Sequence, residues 1–146
     1  MIMANRVREV ADTPQKGQIR HDLYKSVIDR YLEAMRAGYY LEAITLMESL
    51  ISDRLESALN YYQLCQFSIG FRPLGDNLRS FFNQGIISDE LYAEIDNWRK
   101  DRNQSLHEMA KIEFGTAPTF SHRYALQKTI AEAGYNIFKK LKEELR

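Results

Sequence analysis

The chain has 146 residues, 45% of them hydrophobic and 27% charged, and its 20 basic and 20 acidic side chains cancel to a formal net charge of zero. That is the size and make-up of one globular domain with a sizeable core. It excludes a nucleic-acid binder that works by bulk positive charge, though not a local basic site, and the single cysteine excludes an internal disulfide.

No run of about eighteen apolar residues marks a membrane span. The opening stretch MIMANRVREVADTPQKGQIR also lacks the apolar core of a signal peptide. The expectation is a cytoplasmic protein with no membrane partner. Residues 1–18, polar and mixed around Pro14 and Gly17, read as a flexible N-terminal arm, and 19–146 as a single helical domain. From about Arg20, Leu23, Val27, Tyr31, Leu32 and Met35 recur at spacings of three and four, and Gly38 ends the run. A second helix starts near Tyr39. Its apolar face (Ala43, Ile44, Met47, Leu50, Ile51, Leu55, Ala58, Leu59 and Tyr62) is wide enough to meet more than one neighbour.

Residues 64–72 are apolar around Cys65, which reads as a buried thiol. Pro73 can open a short helix closed at Gly85. Ser88 is a good N-cap, with Asp89 and Glu90 well placed in the first turn of a long helix over about 89–110. FGTAPTF (114–120) reads as a loop, and Ser121 as the cap of a last helix whose face is Leu126, Ile130, Ala133, Ile137, Leu141 and Leu145. No segment alternates like a strand. The predicted fold is all-α, an antiparallel bundle of four long helices plus one or two short ones.

Counting about 100° per residue along the 89–110 helix puts Leu91, Ile95, Trp98, Leu106 and Met109 in one stripe. Arg102 falls in the middle of it, an expensive choice for a cation unless something pairs with it. His107 points about 140° away from Arg102, toward the face of Asn103, with which it can share a hydrogen bond. Arg102 and His107 can therefore serve one site only through a distorted helix, a curled arginine or a second subunit in a symmetric dimer. Glu48 on the second helix can act as a carboxylate partner behind Arg102 or as an ordinary surface residue. Arg54, near the apolar stripe of that helix, is expected to pair with a carboxylate. Arg99, Lys100 and Lys111 can add positive field, tempered by Asp96 and Asp101. His107-Glu108 starts a zinc-protease motif, but Lys111 stands where its second histidine belongs. His21 and His122 read as surface residues, and the clustered aromatics Tyr61, Tyr62, Phe67, Phe71, Phe81 and Phe82 as packing.

With Arg102, Asn103 and His107 in that order, the chain resembles the HEPN superfamily (higher eukaryotes and prokaryotes nucleotide-binding), small all-α domains of toxin–antitoxin, phage-defence and RNA-processing systems. The mark of that family is an arginine, four to six residues, then a histidine, often with a polar residue directly after the arginine. Here the arginine is Arg102, the spacer Asn103-Gln104-Ser105-Leu106 and the histidine His107. The likeness covers residues 20–146 and is specific at Arg102, Asn103 and His107. It implies a homodimer whose two motifs line one cleft and act on RNA as a metal-independent endoribonuclease, with no cofactor. In that reading His107 takes the proton from a ribose 2′-hydroxyl or gives one to the leaving 5′-oxygen, roles that suit an imidazole. Arg102 holds the scissile phosphate, and Asn103 orients the histidine or the phosphate. An antitoxin or a nucleotidyltransferase-like protein is the implied partner. Met109 stands where some toxin members carry the tyrosine such a partner modifies. The alternative is a non-catalytic HEPN-like helical dimer that binds a nucleotide or a partner protein.

Overall fold

The computed structural model describes residues 13–61, 87–107 and 120–145. They form four helices: α1 (Pro14–Ala37), α2 (Tyr40–Tyr61), α3 (Asp89–His107) and α4 (Phe120–Glu144). No strand occurs among them, and no helix among them is long and apolar enough to cross a membrane. Residues 1–12, Cys65 and the 64–72 segment, the short helix expected between Pro73 and Gly85, Met109, Lys111, the loop expected at 114–119 and the aromatics from Tyr62 to Phe82 lie outside the described residues.

The helix ends follow local chemistry. Thr13 caps α1 by accepting a hydrogen bond from the Lys16 N–H at 3.2 Å, with Pro14 in the first turn. Residues 14–18, expected in the arm, are therefore helical. Gly38 ends α1 at φ 82°, and the N–H groups of Gly38 and Tyr39 return to the Met35 and Ala34 carbonyls at 3.3 and 2.8 Å. This is a Schellman closure that needs the left-handed conformation glycine supplies cheaply. Ser88 caps α3 as expected, its Oγ accepting from the Leu91 N–H at 3.2 Å. The same residue is tied to the end of α4, with the Ser88 N–H and Oγ–H donating to Glu144 at 2.9 and 3.1 Å. Ser121, by contrast, lies inside α4, which already starts at Phe120.

Side-chain contacts fix the helix directions. Arg30 meets Glu42 and Arg20 meets Asp53, so α1 and α2 are antiparallel. The rings of Tyr40 and Tyr124 lie 4.9 Å apart, while Arg54 reaches the Leu145 carbonyl, so α2 and α4 run parallel. Ser88 to Glu144 and Trp98 to Ile130 make α3 antiparallel to α4. The chain therefore alternates in direction from helix to helix, as a bundle does. The parallel α2–α4 pair packs most extensively, with α1 against α2 and α3 against α4.

The core is the wide face of α2 (Ala43, Ile44, Met47, Leu50, Ile51, Leu55 and Ala58, all buried) against Ala131, Ile137, Phe138 and Leu141 of α4. Most of the two expected faces pack as read, with Val27, Tyr31 and Met35 on α1 and Ile130, Ala133, Ile137, Leu141 and Leu145 on α4 in or against the core, and the differences lie at single positions. On α1, Tyr31 and Ala34 are buried, whereas Leu23 is 60% and Leu32 41% exposed. On α4, Leu126 is exposed while Gln127, Ala131 and Phe138 are buried. The reason is volume. Where Tyr31 and Trp98 lean on α4, the facing positions must be small, so Ala131 and Gly134 take places that an aliphatic stripe would give to larger residues. Tyr31 donates its hydroxyl to the Ala131 carbonyl at 3.1 Å and stacks on Tyr135 at 5.2 Å. Burial, helped by the nearby Glu132 and Tyr135, pushes its phenol up to about 12.

Because one serine both caps α3 and ties it to α4, Ser88→Ala is expected to lower the unfolding free energy by about 1–2 kcal/mol in urea titrations. In Glu144→Ala the same substitution is expected to cost less, since the two side chains share bonds.

Candidate functional site

The site is built on the last turns of α3. Leu91, Ile95 and Trp98 are buried in sequence along the helix, and the Trp98 Nε1–H donates to the Ile130 carbonyl at 2.8 Å. One turn further, Arg102 occupies the same seam, its side chain only 12% exposed. Another turn on, Leu106 is 42% exposed. The apolar stripe thus opens to solvent at its C-terminal end, and Arg102 stands at the threshold.

Two groups hold that guanidinium. The Arg102 Nη1 forms an ion pair with Glu48 of α2, whose side chain is 30% exposed. The Nη2 donates to the Asn103 side-chain oxygen at 2.7 Å. The Nε is buried with no hydrogen-bond partner among the described residues. A guanidinium carries five N–H donors in a planar fork. The two anchors engage one donor on each terminal nitrogen and leave a second donor on each outside these two contacts. Glu48, which the sequence left between a partner of Arg102 and a surface residue, thus contacts Arg102 directly.

Asn103 and His107 do not form the hydrogen bond their spacing allows. The Asn103 amide is turned back onto its neighbour Arg102 instead. His107 is exposed at the end of α3, and among the described residues no hydrogen bond or ion pair joins it to Arg102 or Asn103. A basic group there also faces the negative end of the helix dipole favourably. Within one chain, then, Arg102, Asn103 and Glu48 come together and His107 stands apart.

The flanking charges are largely paired. Asp96 takes Arg99 at 2.9 Å and Lys100 at 3.0 Å. Hydrogen bonds from Arg99 and then Lys100 hold its carboxyl below the usual aspartate range against the opposing effect of burial. Arg54 differs from its expectation. Among the described residues it donates Nη2 to the Leu145 carbonyl at 3.2 Å and pairs with no carboxylate, because the parallel α2–α4 arrangement brings the carbonyl end of α4 to it.

The sequence reading missed a second polar constellation, Arg20, Tyr24 and Asp53. Arg20 Nη2 donates to the Tyr24 hydroxyl at 2.9 Å and to Asp53 at 3.2 Å, and the Tyr24 hydroxyl donates to Asp53. Burial and then the Asp53 charge push the Tyr24 phenol well above its ordinary range, so it stays protonated as the donor. A signal was present: Gly17, Arg20, Tyr24 and Ile28 recur at spacings of three and four, a stripe in which an arginine and a tyrosine hydroxyl both need partners. No protein-family model, curated protein or solved structure matches this chain.

Proposed function

We propose that the protein is a metal-independent endoribonuclease of HEPN type, acting as the toxic or defensive component of a bacterial system, with Arg102, Asn103 and His107 as its site residues. The observation that carries this reading is Arg102, a cation held at the open end of an apolar seam by Glu48 and Asn103. Burying such a group costs free energy that an aliphatic side chain at the same position would not. A function for the charge explains why it is there.

In the proposed reaction the ribose 2′-hydroxyl attacks the adjacent phosphorus. The 2′-oxygen loses its proton, a new P–O2′ bond forms, and the P–O5′ bond breaks as a proton reaches the 5′-oxygen. The products are a 2′,3′-cyclic phosphate and a 5′-hydroxyl. Arg102 stabilises the charge that grows on the non-bridging oxygens, with Asn103 and Glu48 as the groups that aim it. An imidazole supplies or removes the proton. Because His107 is exposed and turned from Arg102, the reading requires a homodimer in which two motifs face across one cleft, so that two imidazoles serve as base and acid. The exposed Leu106 beside His107 gives such a contact an apolar element.

The test is incubation of the purified protein with single-stranded and hairpin RNA in EDTA. The wild type is expected to cleave and leave cyclic-phosphate ends, and His107→Ala to lose at least ~100-fold in rate. No cleavage, or cleavage unchanged in both His107→Ala and Arg102→Ala, overturns the proposal. A monomer by light scattering at micromolar concentration removes the shared cleft. The second reading, a non-catalytic helical dimer that binds a nucleotide or a partner, is favoured by the Arg102–Glu48 pair if that pair serves α2–α3 docking alone. It predicts that the His107 variant keeps every cellular effect of the wild type.

A further inference from the structure

A cleft of about 570 Å³ opens between the N-terminal half of α1, the C-terminal half of α2 and the end of α4. Its lining includes Arg20, His21, Lys25, Arg54 and Lys142, together with Gly17, and no carboxylate among the described residues. The chain as a whole has equal numbers of acidic and basic side chains, so this concentration is a local field rather than a consequence of composition. Asp53, beside Arg54 on α2, is engaged by Arg20 and by the Tyr24 hydroxyl.

The lining has a floor and a rim. Arg20 and Arg54 are half-buried, whereas His21, Lys25 and Lys142 are exposed. Each floor guanidinium is fixed through its Nη2, Arg20 by Tyr24 and Asp53 and Arg54 by the Leu145 carbonyl. Each also keeps a buried Nε with no hydrogen-bond partner among the described residues. The pair is thus held in place at the cleft by contacts to its terminal nitrogens, which pre-positions both cations for an incoming anion. Along α1 the lining residues run from Gly17 to Ile28, about 16 Å at the helical rise. A single phosphate can engage only part of that length.

This cleft is distinct from the Arg102 site. On α2, Asp53 turns to α1 and Glu48 to α3, and the two positions lie about 140° apart around the helix axis. The cleft and the motif therefore lie on different sides of α2.

We propose that the cleft binds a small ligand carrying two or three consecutive phosphate groups, with Arg20 and Arg54 as its floor and Lys25 and Lys142 closing on it from the rim. Gly17 leaves room for that ligand, since a Cβ added there meets nothing within 4 Å. The site needs no dimer and no RNA cleavage, so it stands or falls separately from the proposed ribonuclease.

The experiment is calorimetric titration of the full chain with inorganic triphosphate, inorganic phosphate and adenosine triphosphate at ~50 mM salt, where screening of exposed charge is modest. Saturable triphosphate binding at least ten-fold tighter than phosphate is expected. Equal affinity for the nucleotide assigns the phosphate chain as the ligand, and tighter nucleotide binding assigns a nucleotide; both support the site. The variant Lys25→Glu/Lys142→Glu is expected to weaken triphosphate at least ten-fold. Lys128→Glu, an exposed reversal on α4 away from the cleft, is expected to change it less than two-fold. Gly17→Glu removes a helical glycine and adds an acid near the start of α1, which has none in its first turn, so it is expected to melt no lower than wild type. It should nevertheless lose triphosphate binding, which separates a ligand effect from a folding effect. No saturable binding, binding that Gly17→Glu leaves intact, or weakening by Lys128→Glu as large as that by the rim variant overturns the proposal. So does loss of binding to a short RNA oligonucleotide in the rim variant while triphosphate binding persists.

Discussion

Arg102→Met combined with Glu48→Gln is expected to give a protein that melts at or above the wild-type temperature and, if the protein is the proposed ribonuclease, cleaves no RNA. The Arg102 side chain is 12% and the Glu48 side chain 30% exposed, so both charges have lost much of their water. Replacing a desolvated ion pair with side chains of similar volume is commonly neutral or stabilising, here by about 0–2 kcal/mol given the partial exposure. That corresponds to a shift of at most ~8 °C in melting temperature. Methionine fits because the seam above it, Leu91, Ile95 and Trp98, is already apolar. Glutamine at position 48 keeps the size of the glutamate without its charge.

The single variants sharpen the test. Glu48→Ala leaves the guanidinium mostly buried with only Asn103 as partner, and is expected to lose about 2–4 kcal/mol. Arg102→Met alone leaves the more exposed Glu48 in reach of water and costs less. A chain whose double variant is more stable and inactive is keeping the pair for chemistry at the expense of stability. If the double variant instead unfolds several kcal/mol more easily, Arg102 is a docking residue between α2 and α3. If it folds and still cleaves, the proposed site is wrong. His107→Ala belongs beside it as a control, because an exposed substitution at a helix end changes stability by no more than about 0.5 kcal/mol.

How far the sequence carried this picture depended on the range of the interaction involved. The four helices were legible because their signals are local: apolar spacing, Gly38 after α1, Ser88 before α3. Arg102 in the seam was legible for the same reason, since only the helical period is needed to place it. What Arg102 pairs with was only half legible. Glu48 stood out as a carboxylate on a wide apolar helix, but its pairing depends on how α3 lies across α2. Arg54 shows the limit more clearly: its partner is a backbone carbonyl at the end of α4, a group with no side-chain identity. The few misplaced positions on α1 and α4 share a cause. Apolar periodicity rewards Leu23 and Leu126, whereas packing around Tyr31 and Trp98 rewards Ala34, Ala131 and Gly134, and a small residue carries little weight in a hydrophobic stripe. The cleft residues Arg20 and Lys25 were missed because a cation on a helix is ordinary by itself; only convergence from three helices sets them apart.

Gly134→Val is expected to be the most damaging small substitution among the described residues, with loss of about 3 kcal/mol in urea unfolding. A Cβ built at Gly134 sits 2.9 Å from Trp98 Cζ2 and 3.2 Å from Nε1. The indole has no easy retreat, because it is 4% exposed and its Nε1–H is fixed to the Ile130 carbonyl. Even Gly134→Ala, which gains about 1 kcal/mol of helix propensity, is expected to be destabilising on balance. Trp98→Ala removes the largest side chain of the α3 seam and is expected to cost about 3–5 kcal/mol. Relief should come from the pair: Trp98→Phe makes room for the methyl of Gly134→Ala, and the Ile130 carbonyl keeps its helical partner, the N–H of residue 134. The double variant is therefore expected to be more stable than the sum of the two singles allows. The same contact sets the reach of Arg102, one turn along the seam from Trp98. In Gly134→Ala the α3 helix must move off α4 to fit the methyl, which displaces Arg102 relative to Glu48. A folded Gly134→Ala protein is then expected to lose RNA cleavage by up to ~100-fold, with recovery in the Trp98→Phe background. Full activity in a destabilised Gly134→Ala protein would uncouple the seam from the site.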